Sequence, residues 1–277
     1  MFSSSAKPLI MGILNITPDS FSDGGRFNNV TSALIQVEKM LSDGADIIDI
    51  GGESTRPYSI SVSSGEQVHR VMPVIKAIRT QLSTTVLISI DTRLSTVAKL
   101  ALAEGANIIN DISAGLNDPK ILEVAADYNC PIILMHIKGT PQTMQDNPDY
   151  DNVVSEVLAS LHVSAEHAKQ AGIRQDKIIL DPGIGFGKTN EHNLELLGHL
   201  KQFVEIGYPI LLGTSRKKFL NAITATEKPE DLALATSVTT ALAVMAGVKI
   251  IRVHDVKENR QALDIAWAIK QAAIDTK

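Results

Sequence analysis

"DIIDIGG", residues 46 to 52, sets three isoleucines around Asp49 and ends on a pair of glycines. A run this short, apolar and β-branched reads as a strand buried on both faces. Seven more runs of the same kind follow one another along the chain: "LIMGILNI" from Leu9, "VLISIDT" from Val86, "NIINDIS" from Asn107, "PIILMHI" from Pro131, "IILDPGI" from Ile178, "PILLGTS" from Pro209 and "IIRVHDV" from Ile250. Between most of them lie stretches such as "TSALIQVEKMLSDGA", "STVAKLALAEGA" and "DPKILEVAADYNC", with apolar residues three and four apart. That spacing predicts helices, and the endings "DGA", "EGA" and "AGI" put glycine where a helix C-terminus takes a left-handed residue.

Eight βα units with no linker, low-complexity stretch or composition break predict one domain over residues 1–277, its core over about 9–270. An open doubly wound sheet and a closed (β/α)8 TIM barrel both satisfy the alternation. In an open sheet the ligand-binding groups gather at the switch point, beyond a few strands. Here nearly every strand exits on polar groups: Asn15, Asp49 with Glu53, Asp91, Asn110, His136, Asp181, Ser215 with Lys217, and Arg252 with His254. A barrel brings all eight ends onto one rim, so the α/β class resolves to a (β/α)8 TIM barrel with its site at the C-terminal mouth.

Apolar content of 44% is ample for a core, and the formal charge of -5 offers no general basis for binding nucleic acid or an acidic membrane, so neither is expected as a partner. A single cysteine, Cys130, excludes an internal disulfide and a thiolate metal cluster; beside "PIILM" it reads as a small buried hydrophobe. The N-terminal apolar run is too short for a signal peptide. "LALATSVTTALAVMAGV", residues 232 to 248, falls short of a span of ~20 residues. The expected location is cytoplasmic.

Taken singly, the rim residues have plain explanations: Asp49 or Asp181 as a cap for the next helix, Asn110 as a loop brace. Their convergence changes the reading. Two carboxylates, Asp91 and Asp181, and the Asn110 amide in one mouth suit the N–H edge of a flat heterocycle, as such side chains read base edges. A pteridine or purine-like ring with a 2-amino group is the expected ligand. "TSRKK" after strand 7, Arg252 and His254 on strand 8, and Thr55 and Arg56 after strand 2 gather where barrels hold phosphate, which predicts a phosphate or pyrophosphate group. Arg216 or Lys218 is expected to sit in a salt bridge instead. "GIGFGKT" is neither phosphate-loop motif, since Pro182 stands five before Gly187 and Lys188 occupies the third glycine of GxGxxG. Its glycines are expected to let backbone and Phe186 lie close to a ligand. His69, His162, His167, His192 and His199 fall in helix-like stretches and are expected on the surface.

Together, "MGILNITPDSFSDGG", "DIIDIGGESTRP", "SIDT", "NIINDISAG", "LMHIKGTPQTMQ", "ILDPGIGFGK", "TSRKKFL" and "IIRVHDV" closely resemble the dihydropteroate synthase family, folate-pathway enzymes that sulfonamides inhibit. The match runs in order from about Met11 to Val256; Tyr58 after "TRP" and Thr214 before "SRK" differ and are expected beside the site. The resemblance implies a reaction joining 6-hydroxymethyl-7,8-dihydropterin diphosphate to p-aminobenzoate with release of pyrophosphate. Position by position, it implies pterin binding by Asp91, Asn110, Asp181 and Lys217, and anion binding by Thr55, Arg252 and His254. Asn15 matches the residue that contacts Mg²⁺, the implied cofactor. Phe186, Ser215 and Lys217, with Arg56 and Pro57, match the p-aminobenzoate side. The Pro- and Gly-rich loop after strand 1 is expected to close over the pyrophosphate, with Asp19 and Phe21 acting in that closed state alongside Arg56 and Lys217. A homodimer is also implied, and the small residues of "LALATSVTTALAVMA" would allow close helix packing. Two rivals are a pterin-dependent methyltransferase domain, which needs no pyrophosphate site, and a non-catalytic pterin-binding protein. The second should have lost Asn15, Arg56, Lys217, Arg252 or His254; all five are present.

Overall fold

The computed structural model of the chain describes residues 6–17, 26–55, 57–82 and 85–275. All eight apolar runs form strands: β1 (Leu9–Asn15), β2 (Ile47–Gly51), β3 (Leu87–Asp91), β4 (Ile108–Asp111), β5 (Ile132–Met135), β6 (Ile178–Asp181), β7 (Leu211–Leu212) and β8 (Ile250–Val253). Helices alternate with them: α1 (Arg26–Ser42), α2 (Ser64–Ala77), α3 (Ser95–Ala103), α4 (Lys120–Asp127), α5 (Val153–Gln170), α6 (Asn190–Gly198), α7 (Leu200–Glu205), α8 (Lys218–Thr224), α9 (Ala233–Ala246) and α10 (Val256–Asp275). Gly44, Gly105 and Gly172, the glycines of the three predicted helix endings, have φ of 100°, 105° and 94°. Only glycine enters that region without a side-chain penalty, which is why these helices stop there.

The strands pair in parallel in the order β6-β5-β4-β3-β2-β1-β8-β7. A parallel bridge between Leu180 and Ile210, with the Leu180 N–H donating to the Pro209 carbonyl at 3.0 Å, joins the two ends. The sheet is thereby closed into the expected (β/α)8 barrel. Side chains alternate in and out along each strand. Met11, Ile47, Ile108, Ile133, Ile179, Leu211 and Ile250 meet inside as one buried cluster, separate from the larger cluster between strands and helices. This inner layer plugs the barrel. Cys130, 6% exposed, packs in the outer cluster, and burial pushes its thiol up to about 11.

Among the described residues no helix is long and apolar enough to cross a membrane. Helix α9 packs on α10 through a buried face that includes Thr240, whose hydroxyl meets Asn259 Oδ1 at 2.6 Å. Its other face exposes Leu234, Val238, Leu242 and Met245, a stripe at helical spacing, with Ile265 and Ile269 exposed on α10.

Ile133 sits at the centre of the plug with neighbours that cannot collapse around a void. Ile133→Ala should lose about 2–5 kcal/mol of stability in urea unfolding. A loss under about 1 kcal/mol would mean that the inner layer is not close-packed.

Candidate active site

Two residues beyond the plug, the next inward position turns polar on five strands, while β1 and β5 carry Ile13 and Met135 there and Gly213 follows β7. Ile47 leads to Asp49, Leu87 to Ser89, Ile108 to Asn110, Ile179 to Asp181 and Ile250 to Arg252, followed on β1 and β3 by Asn15 and Asp91. Asn15, Asn110, Asp181 and Arg252 line a cavity of about 950 Å³ at the C-terminal mouth, whereas the buried Asp49, Ser89 and Asp91 do not line it. Of the expected site residues, Asn15, Thr55, Pro57, Asn110, Asp181, Phe186, Ser215, Lys217, Arg252 and His254 line it. Arg56, Asp19 and Phe21, with the loop that carries the last two, lie outside the described residues.

Asp91 does not reach the cavity wall. Its Oδ2 accepts from Arg252 Nη2 at 2.7 Å, while Arg252 Nε donates to Asp49 Oδ2 at 2.7 Å. Asn110 Nδ2 donates to the same Asp49 oxygen at 3.1 Å. Asp49 therefore caps no helix, contrary to the plain expectation; it is fully buried beneath the site. Burial pushes Asp91 up to about 7 against the pull of Arg252, with Asp49 adding to the rise. Although burial opposes it, Asp49 and Asp91 hold the Arg252 guanidinium above its ordinary value. One cation thus faces two buried acids.

Asp181, at the end of β6, accepts from the Gly183 N–H at 2.7 Å, and burial raises it to about 6. The loop that follows adds to one expectation. A Cβ on Gly183 would lie 1.9 Å from the His136 carbonyl oxygen, and one on Gly187 2.5 Å from that of Lys138. These two glycines let the β6 loop lie against the end of β5, while Gly183, Gly185 and Phe186 line the cavity as expected. Lys217 Nζ lies 4.0 Å from the Phe186 ring centroid. Burial, aided by Arg252, lowers Lys217 to about 8.

Lys188, read in the sequence only as the residue that breaks a motif, is buried in the cavity wall. Its Nζ lies 3.0 Å from His136 Nδ1 and 3.0 Å from the Phe186 carbonyl oxygen. Burial brings Lys188 down to about 7, and burial with the neighbouring Lys188 brings His136 down to about 3. His136 is therefore a neutral acceptor that ties β5 to the loop. Gln145 Nε2 donates to the Gly185 carbonyl at 2.9 Å, and Asn193 Oδ1 accepts from the Gly185 N–H at 2.7 Å. No spacing in the sequence marks Lys188, Gln145 or Asn193, because their partners come from other strands and loops.

On the cationic side, Ser215 Oγ accepts from the His254 N–H at 3.1 Å and lies 3.0 Å from its Nδ1. Arg216 forms the expected salt bridge, with Asp255 at 2.6 Å, whereas Lys218 is exposed. Glu53 turns away into an ion pair with Arg93 at 3.0 Å and a bond from the Val62 N–H at 2.9 Å. Tyr58, expected beside the site, lines it with φ of 64° and donates its N–H to Pro141. Thr214 stays beside it, bonded to Thr239 at 2.7 Å. Four of the five helix-borne histidines are exposed; His192 is half-buried, completing a capping box with Thr189 at the start of α6 and meeting the Tyr150 ring edge-on at 5.0 Å.

A family model described as "Pterin binding enzyme" matches residues 11–254. The dihydropteroate synthase of Haemophilus influenzae is 47% identical over 96% of this chain and 95% of its own. Among solved structures, a Yersinia pestis dihydropteroate synthase in a sulfonamide drug complex superposes with a TM-score of 0.90 at 42% identity, covering 97% of this chain and 96% of its own. A Xanthomonas albilineans dihydropteroate synthase in complex with 7,8-dihydropteroate gives 0.86 at 37% identity, covering 97% and 95%.

The raised carboxylates and lowered lysines have opposite effects on stability. Asp91 and Asp181 bind protons more readily folded than unfolded, so the stability they contribute is present at low pH and is lost between about 4 and about 6 to 7. Lys188 and Lys217 release protons more readily when folded, so their contribution grows as pH rises above about 7 to 8 toward 10.5. Relative to wild type, Asp181→Asn should therefore be more stable at about pH 7.5 than at about pH 5 in urea unfolding. An equal difference at both values would show that Asp181 is not desolvated as described.

Proposed function

The chain belongs to the pterin binding enzyme family, among its dihydropteroate synthases, and we propose that it joins 6-hydroxymethyl-7,8-dihydropterin diphosphate to p-aminobenzoate, releasing pyrophosphate and 7,8-dihydropteroate. One observation carries the reading: a single cavity holds acceptors for a ring N–H edge, Asp181 and Asn110, together with Lys217, Arg252 and His254 for an anion.

As the exocyclic C–O bond breaks, its electron pair leaves with the diphosphate, and the electron-rich ring supports positive charge on the CH₂. The arylamine lone pair then forms the C–N bond and the nitrogen sheds a proton. An aniline is nucleophilic enough toward such a carbon to need no strong general base. Asp91 and Asp181, carboxylates beneath the ring, offset the growing positive charge, while Arg252 and His254 receive the negative charge of the leaving group. Phe186, Ser215, Lys217 and Pro57 form the proposed p-aminobenzoate side, and Thr55 adds to the anion site. Arg56, Asp19 and Phe21 complete the proposal as loop residues that close over both substrates and exclude water, which would otherwise trap the cation.

The donor set fits Mg²⁺. Among the described residues no group of three or more His, Cys, Asp or Glu forms a cage, and Mg²⁺ commonly keeps its waters and takes substrate phosphates with one or two protein oxygens. Asn15, half-buried on the cavity wall, offers one such amide oxygen. Held there, the ion supplies charge neutralisation of the departing diphosphate. The proposal includes a homodimer, supported by the exposed apolar stripe of α9 with Ile265 and Ile269, a self-complementary kind of surface. It also includes a cytoplasmic location, supported by a lone buried cysteine.

The test is pyrophosphate release with Mg²⁺ and both substrates, each omitted in turn. Release should need both and match dihydropteroate formed; release from the pterin alone would make the protein a hydrolase, and pterin binding without release a non-catalytic binder. Asn15→Ala should raise the Mg²⁺ concentration for half-maximal rate by about ten-fold or more, the scale of losing one ligand-network residue. An unchanged Mg²⁺ dependence would remove Asn15 from the metal.

A further inference from the structure

Asp49 touches no part of the cavity, yet it holds two residues that do. It is fully buried on β2, and its Oδ2 receives both Arg252 Nε at 2.7 Å and Asn110 Nδ2 at 3.1 Å. Its Oδ1 is buried without a hydrogen-bond partner, as is the hydroxyl of Ser89, its register neighbour on β3. Two buried acids, Asp49 and Asp91, thus share the one Arg252 guanidinium.

The Asp49–Arg252 pair constrains its neighbour. A carboxylate ion-paired to a guanidinium is an acceptor only, so it dictates which end of a neighbouring amide it meets. Asn110 must turn its NH₂ toward Asp49, and its Oδ1 then faces away from Asp49, on the side of the cavity that Asn110 lines. Asp49 Oδ2 also accepts from Arg252 Nε while Asp91 Oδ2 accepts from its Nη2, so the guanidinium plane is held from two strands.

We propose that Asp49 is a positioning residue that sets the polarity of the site: it holds the Asn110 amide with its oxygen toward the ligand, so that this wall accepts a ring N–H, and it fixes the Arg252 guanidinium. The inference rests on the pterin reading above but not on the condensation itself. Asp49 acts through Asn110 and Arg252 and contacts no substrate.

The test measures binding of 6-hydroxymethylpterin by calorimetry, with turnover followed separately. Asp49→Asn should weaken pterin binding about ten-fold or more, the equivalent of one misdirected hydrogen bond to a charged group, and raise KM for the pterin substrate while KM for p-aminobenzoate stays unchanged. Asn110→Asp places two carboxylates face to face and should weaken it further. The exchanged double variant, Asp49→Asn with Asn110→Asp, again puts an NH₂ on β2 opposite an acceptor on β4, and should bind pterin about ten-fold better than Asn110→Asp alone. Ser89→Ala, which alters the same buried layer without touching Arg252 or Asn110, should leave both KM values unchanged. Unchanged pterin affinity in Asp49→Asn, or no recovery in the double variant, would overturn the proposal. So would an equal loss in Ser89→Ala, which would reduce Asp49 to packing. Should the Asp49 variants not fold, NMR of the wild-type Asn110 side-chain amide decides: its hydrogen bond to Asp49 should persist when pterin binds, and its loss on binding would sink the idea. Wild-type protein that binds pterin without turning over would refute the reaction and leave these binding outcomes to judge Asp49; wild-type protein that does not bind pterin would refute both.

Discussion

Inside a closed barrel every second residue of each strand faces the axis, and the chain has only a few such positions between one end and the other. Here a layer of aliphatic side chains, centred on Ile47, Ile133, Ile179 and Ile250, fills the middle. At the next inward position the polar groups Asp49, Asn110, Asp181 and Arg252 stand, beside the apolar Ile13 and Met135. The plug gives these groups a dry floor, and the parallel ladder fixes their separation to within a hydrogen bond. Burial that would be costly for any one charge is tolerated because the charged groups pair, Arg252 with Asp49 and Asp91, Asn110 with Asp49, Asp181 with the Gly183 N–H, although Asp49 Oδ1 and the Ser89 hydroxyl stay without a partner.

That pairing bears on how a ligand enters. Arg252 was expected as an anion-binding residue, and the structure shows it in two ion pairs. The two roles are compatible because a guanidinium carries five N–H donors and only Nε and Nη2 bond the two acids. The carboxylates hold its plane, and the remaining donors stay available for an anion. Asp91, set behind it, pairs with Arg252 without lining the wall. Its displaced titration, near 7, follows from desolvation that one shared cation does not fully offset.

The architecture was legible because its signals are local. Eight short β-branched runs and the glycines at 44, 105 and 172 each announce an element by backbone or burial preference alone, and the polar strand ends announce the rim. Ten of the expected site residues line one cavity for the same reason, since a strand end in a barrel has one place to go. What escaped the sequence depends on neighbours far along the chain. Gly183 and Gly187 answer to carbonyls of His136 and Lys138 on another strand's loop, and Lys188 finds its partners there too. Asp49 looked like a helix cap because nothing beside it in sequence reveals Arg252, 203 residues away.

Lys188 shows what such distant contacts accomplish. A buried ammonium bonded to neutral acceptors, His136 Nδ1 and the Phe186 carbonyl, is held less firmly than one facing a carboxylate at the same distance. It nonetheless ties the loop after β6 to the end of β5 at the point where Gly183 and Gly187 already press backbone on backbone. The loop therefore has little freedom to shift, and Phe186, with Lys217 over its ring, is presented to the cavity from a rigid support. On both walls of the mouth a residue that meets the cavity is held by a buried polar partner from another part of the chain, Asn110 by Asp49 and the Phe186 backbone by the His136–Lys188 contact.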